Sequence, residues 1–170
     1  MKKLFLSITA LCLALIVQAQ TNPVDAMFDK YSEKDGFTVV SISSRMLSMF
    51  ASQDADNKEA ENLFARLKSI KILSVEDSLL NRDLNFYTEL SKKLDLSVYE
   101  ELMVVKEGKD ITRFLIQQKG DLITELLVIS GGPSGNSLIS IRGNLDLKSI
   151  SNISREMGIQ DLEKLDKIEK

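Results

Sequence analysis

The chain has 170 residues, 44% of them hydrophobic and 28% charged, with a formal net charge of −3 and neither histidine nor tryptophan. The lack of histidine, together with a single cysteine, removes Ser-His-Asp and Cys-His catalysis and the usual zinc, copper and haem sites. No basic cluster occurs, which argues against nucleic acid and anionic lipid surfaces as partners.

Lys2 and Lys3 precede an uncharged, mainly apolar run from Leu4 to Val17, and Val17-Gln18-Ala19 then supplies a small-residue cleavage pattern. The run has fourteen residues, whereas a spanning helix needs roughly 18 or more. The pattern predicts a cleaved secretory signal over residues 1–19, a single folded domain over 20–170, and a periplasmic or secreted location. It leaves no stable membrane span after cleavage. Cys12 lies inside the apolar run, not at its end, so no lipid anchor is expected. The mature chain would carry no cysteine and would fold without disulfides, held by burial alone. Removing Lys2 and Lys3 leaves 20 basic against 25 acidic residues, a net charge of −5.

Asn22-Pro23 reads as an N-cap followed by proline in the first turn, opening a helix to about Ser32 that Gly36 ends. Phe37 to Ile42 is rich in β-branched residues and reads as a strand. Arg45 to Ala51 is expected to be a short helix, with Met46, Leu47 and Phe50 on one side. Asp54-Ala55-Asp56 opens a second, with Ala60, Leu63, Phe64 and Leu67 at the spacing of one face. Ile70 to Val75 is a brief strand. Asp77 or Ser78 then caps a longer helix with Leu80, Leu84, Tyr87, Leu90 and Leu94 inward.

The second half changes character. Tyr99–Lys106, Ile111–Gln118, Leu122–Ser130 and Leu138–Arg142 are apolar-rich runs. Short glycine-bearing connections separate them, which predicts hairpins and not helical crossovers. The nearly continuous Glu125-Leu126-Leu127-Val128-Ile129 marks a central, covered strand. Helices over 146–157 and 161–168 would finish the chain. The expected class is α+β: a four-stranded antiparallel meander in the C-terminal half, with helices on one face and one or two further strands from the N-terminal half.

Three weaker signals bear on chemistry. The glycine-rich Gly131–Asn136 could suggest a phosphate cradle, but the strand-like Ser137–Ile141 that follows makes it a hairpin turn. It also fails the G-x-S-x-G elbow, since Asn136 stands where the second glycine belongs. Asp54, Asp56, Asn57, Glu59 and Glu61 suggest calcium, but Lys58 and Glu59 occupy the fifth and sixth loop positions and break the EF-hand pattern. Glu100 and Glu101 fall on opposite sides of a regular strand and cannot share a site, and Glu125 lies across a hairpin from them. The Met46, Met49 and Phe50 group reads as core.

Phe64-x-x-Leu67-Lys68-Ser69-Ile70-Lys71-Ile72-Leu73, Tyr99–Gly108, Glu125–Gly131 and Leu138–Leu147 together resemble an exported Bacteroidetes family called domain of unknown function 4252. The resemblance covers nearly all of the mature chain and rests on strand-and-turn motifs, not catalytic ones. It implies a small envelope protein with no activity or site to carry over. Some members look like lipoproteins, for which this chain lacks the cysteine. Members tend to lie beside regulators of envelope gene expression, which implies sensing or homeostasis.

These observations lead to an expectation of a non-enzymatic binding or sensing module acting through its sheet face. No catalytic, cofactor-binding or metal-ligating residue is assigned, and no cofactor is implied. The partner would be an envelope protein or a small ligand. The alternatives are a small amphiphile carrier and a carboxylate-dependent hydrolase. A large apolar cavity would favour the carrier, converging buried acids the hydrolase, and an exposed apolar patch a protein partner.

Overall fold

In the computed structural model, residues 22–53, 58–75 and 77–146 are described. Asn22 caps helix α1 (Pro23–Tyr31) by accepting a hydrogen bond from the Val24 amide at 2.8 Å. Val24, Met27, Phe28 and Tyr31 recur at helical spacing and are all buried. Strand β1 (Phe37–Ser43) runs directly into α2 (Ser44–Gln53), and α3 (Lys58–Arg66) passes directly into β2 (Leu67–Val75). Leu67, expected on the helix, begins the strand and is buried there.

The long helix expected from Asp77 to Leu94 is broken into α4 (Ser78–Asp83) and α5 (Phe86–Ser91). The apolar spacing is continuous, but Asn85 is in an extended conformation, and its side chain accepts from the Thr88 amide at 2.8 Å. A polar side chain that starts a new helix overrides the period. A 3₁₀ turn (Leu96–Val98) leads into β3 (Glu100–Glu107), β4 (Asp110–Lys119), β5 (Leu122–Gly131) and β6 (Ser137–Leu145).

All six strands form one antiparallel sheet in the order β1-β2-β6-β5-β4-β3. The expected meander is its C-terminal part, and the two N-terminal strands extend it beyond β6. Gly108 and Gly120 each take φ of 63° at the first position of a two-residue hairpin, a backbone state that side chains resist and that fits the type II′ turn.

The class is the expected α+β, but the helices divide between the two faces. On one face, Ile70, Phe114, Ile116, Leu126, Val128, Ile139 and Ile141 pack with Leu47 of α2 and Leu63 of α3. On the other, Leu73, Leu115, Leu127, Ile129 and Leu138 pack with α1 and with Phe86 and Leu90 of α5. Near-continuous apolar runs in β5 and β6 are the residue-level cause, because alternate side chains both need cover. The helices expected over 146–157 and 161–168 lie outside the described residues, apart from Asp146. Among the described residues no helix is long and apolar enough to cross a membrane.

Candidate functional site

Covering both faces removes the central strands as an open binding surface. One end of the sheet is left open among the described residues. There the β3–β4 turn, the β5–β6 loop and the end of β2 enclose a cleft of about 480 Å³.

The strand register determines what lines it. Thr38, Ser74, Ser137, Ser130 and Thr112 stand directly opposite one another across β1, β2, β6, β5 and β4. One pleat further in, the same strands present Ile72, Ile139, Val128 and Phe114. The apolar core thus stops at a row of hydroxyls. Three of these, Thr112, Ser130 and Ser137, line the cleft beside Val105, Glu107 and Asp110. The Thr112 and Ser130 hydroxyl oxygens are 2.9 Å apart. Among the described residues lining the cleft, the ionisable groups are carboxylates, and no lysine or arginine is present.

The wall of the cleft is fixed from behind by Asn136, which is buried. Its amide nitrogen donates to Asn81 Oδ1 at 2.9 Å, Gly132 O at 3.0 Å and Leu84 O at 3.3 Å. Its side-chain oxygen accepts from the Phe86 amide at 2.8 Å, and its carbonyl accepts from the Val75 amide at 3.1 Å. One residue therefore joins the β5–β6 loop to α4, α5 and β2. Asp110 anchors the other side, its two oxygens accepting from the Ser134 amide at 2.9 Å and the Ser134 hydroxyl at 2.8 Å. A Cβ at Gly132 would collide with Asp110, so close approach here demands glycine. The glycine-rich stretch is the expected hairpin connection, with Gly132 packed against Asp110 and Gly131 against Asn85 and Tyr87.

A second polar assembly lies beneath α1. Glu125 of β5 is only 2% exposed. It accepts from Ser140 Oγ at 2.6 Å, Arg142 Nε at 2.9 Å and the Tyr99 hydroxyl at 2.9 Å. Arg142 also donates to both oxygens of Asp25, at 2.8 and 3.1 Å, and Lys71 donates to Asp25 Oδ1 at 2.8 Å. Burial pushes the Asp25 carboxyl up, but the bonds from Lys71 and Arg142 outweigh it and hold it below the usual carboxylate range. Burial, then the Glu125 carboxylate, pushes the Tyr99 phenol well above its ordinary value. The assembly clamps α1 and the turn before β3 to the sheet. Its acids are spent on partners.

The remaining sequence candidates fall elsewhere. Glu101 pairs with Arg113, and Glu100 accepts from Gln118 at 2.7 Å, on opposite sides of β3 as the pleat requires. Residues 54–57 of the calcium candidate lie outside the described residues, and Glu61 is exposed on α3. Among the described residues no group of three or more histidine, cysteine or acidic side chains converges as metal ligands would. Met46, Met49 and Phe50, expected in the core, are 45%, 53% and 38% exposed, because Leu47 and Ala51 take the inward side of α2. The hydroxyl row carried one sequence signal: each of its central members stands two residues from a core side chain of its own strand.

No curated protein and no solved structure matches the chain. One family does match, over residues 31–153, a span that takes in every strand of the sheet and the whole cleft. The chain belongs to the family described as domain of unknown function (DUF4252).

Proposed function

We propose that the protein is a non-enzymatic binding module of the exported envelope, and that the cleft at the end of its sheet takes a small neutral or cationic polar ligand. The observation that carries this reading is the cleft's construction. Its walls are held by Asn136 and Asp110, while the hydroxyls of Thr112, Ser130 and Ser137 and the carboxylate of Glu107 line it. Walls set before the ligand arrives lower the ordering cost of binding. Hydroxyls both donate and accept, so they suit a polyol or an amine alike. Carboxylates without a cationic neighbour in the lining favour a positive group and oppose an anion such as phosphate.

The other readings find less support. A carboxylate-dependent hydrolase needs two acids free to act on one bond. Both oxygens of Asp110 are held by Ser134, and Glu125 is enclosed. An amphiphile carrier needs an apolar chamber, whereas serine, threonine and acidic residues dominate this lining. Export rests on the Lys2–Ala19 pattern and requires that the exported protein begin at Gln20 by mass spectrometry.

A matched set of probes tests the site: glucosamine, glucose and glucose 6-phosphate, titrated calorimetrically. Glucosamine should bind best and glucose 6-phosphate least. The Glu107→Gln variant should cut the preference for glucosamine over glucose by roughly fivefold, the size of one ion contact in a wet site. Tightest binding of the phosphate, or affinities unmoved by both Glu107→Gln and Thr112→Val, would overturn the assignment.

A further inference from the structure

The sheet has two edge strands, and they are built differently. On β3, Glu100, Glu101, Lys106 and Glu107 carry charge, and the register shifts between Glu101 and Met103. Charges and a bulge are the ordinary means by which an edge is kept from pairing with another chain. On β1, Phe37-Thr38-Val39-Val40-Ser41-Ile42-Ser43 has no charge, no proline and an unbroken register with β2. Val40 at its centre is 40% exposed. Among the described residues, the β3 edge carries these devices and the β1 edge does not.

We propose that β1 pairs antiparallel with β1 of a second copy of this chain, making a two-fold dimer with one continuous sheet. The sequence of β1 is compatible with itself in that arrangement. With Val40 on the axis, Val40 faces Val40 of the copy, Thr38 faces Ile42, Val39 faces Ser41 and Phe37 faces Ser43. Two of these pairs, Val40 with Val40 and Thr38 with Ile42, are β-branched on both strands, which is favourable across a strand pair, and none brings like charges together. The same operation on β3, with Val104 on the axis, sets Glu101 against Glu107, a repulsive pair. A two-fold interface of this kind closes on itself and does not propagate into a fibre, because β3 cannot serve as the next edge. Pairing over seven residues buries little area, so the dimer is weak, with a dissociation constant on the order of 10–100 μM.

Sedimentation equilibrium on the exported protein across that range tests the proposal. The wild type should shift from monomer to dimer, and Val40→Lys, which places two ammonium groups on the axis, should stay monomeric with an unchanged far-ultraviolet spectrum. A cysteine probe covers the case in which the lysine variant does not fold. Val40→Cys should oxidise to a covalent dimer at least tenfold faster than Ser41→Cys, which the pairing sets opposite Val39. A wild type that stays monomeric throughout, a Val40→Lys variant that still dimerises, or equal cross-linking at positions 40 and 41 would each overturn it.

Discussion

Asn136 shows how one side chain can decide a site. Its amide and carbonyl groups make bonds to Asn81, Gly132, Leu84 and Phe86, none of which a smaller residue replaces. Each bond contributes about 1 kcal/mol net, and buried groups left without partners cost roughly 1–3 kcal/mol. Asn136→Ala should therefore lower stability by roughly 2–4 kcal/mol, read as a shift in the urea midpoint. Probe binding at the cleft should fall with it. Ser134→Ala removes one exposed bond to Asp110 and should cost well under half as much. Nothing in the sequence separated Asn136 from other turn asparagines. Three of its four partners, Asn81, Leu84 and Phe86, lie 50 to 55 residues away along the chain, and local chemistry does not specify them.

Acid stability follows from two more residues. Asp25 is held below the carboxylate range by Lys71 and Arg142 despite its burial. Glu89 is likewise pushed up by burial but held lower by Lys30, at 2.6 Å, and the Tyr31 hydroxyl, at 2.7 Å. Both groups are thus easier to ionise when folded than when unfolded. Their contribution is fully present above the ordinary values of 3.8 and 4.5 and is lost as pH falls through the lowered folded values. Melting temperature should drop steeply below about pH 4, and Asp25→Asn or Glu89→Gln should flatten that descent. A pH profile that keeps its acid limb in the double variant would contradict this assignment.

At the scale of elements, β5 carries the fold. Leu126 and Val128 point into the core under α2 and α3, while Leu127 and Ile129 point into the core under α1 and α5. Leu126 and Leu127 are both at 0% exposure. A sheet covered on one face would make one of them expendable; this sheet makes both essential. Leu126→Ala and Leu127→Ala should each cost roughly 2–5 kcal/mol and remain within about a factor of two of each other in denaturant titrations. A loss confined to one of them would contradict the two-sided core. The hairpins were legible in the sequence because glycine turns and apolar runs are local signals. The division of helices between faces was not, since an apolar run looks the same whether one layer or two will cover it. Nor were the register shifts at Leu102 and beside Thr124, which move later side chains to the other face.

For the whole molecule, covering both faces of the sheet confines recognition to the margins. Six strands stack their apolar rows under helices and five of them end in a row of hydroxyls, and the only ionisable groups placed in that opening among the described residues are acids. The strand alternation visible in Phe114, Val128 and Ile139 predicts buried rows. The cleft exists because the next residues outward, Thr112, Ser130 and Ser137, are polar and their strands end in register. Sequence reading reached the strands and missed the site, because a row of hydroxyls forms only once the register is known. The most direct measurement is a backbone amide shift titration of the isotope-labelled protein with glucosamine. Perturbations confined to residues 105–112 and 130–137 are the predicted result. Shifts centred instead on Met46, Met49 and Phe50 of α2, or none up to about 50 mM, a concentration well above the millimolar affinity expected for so small a ligand, would contradict the account.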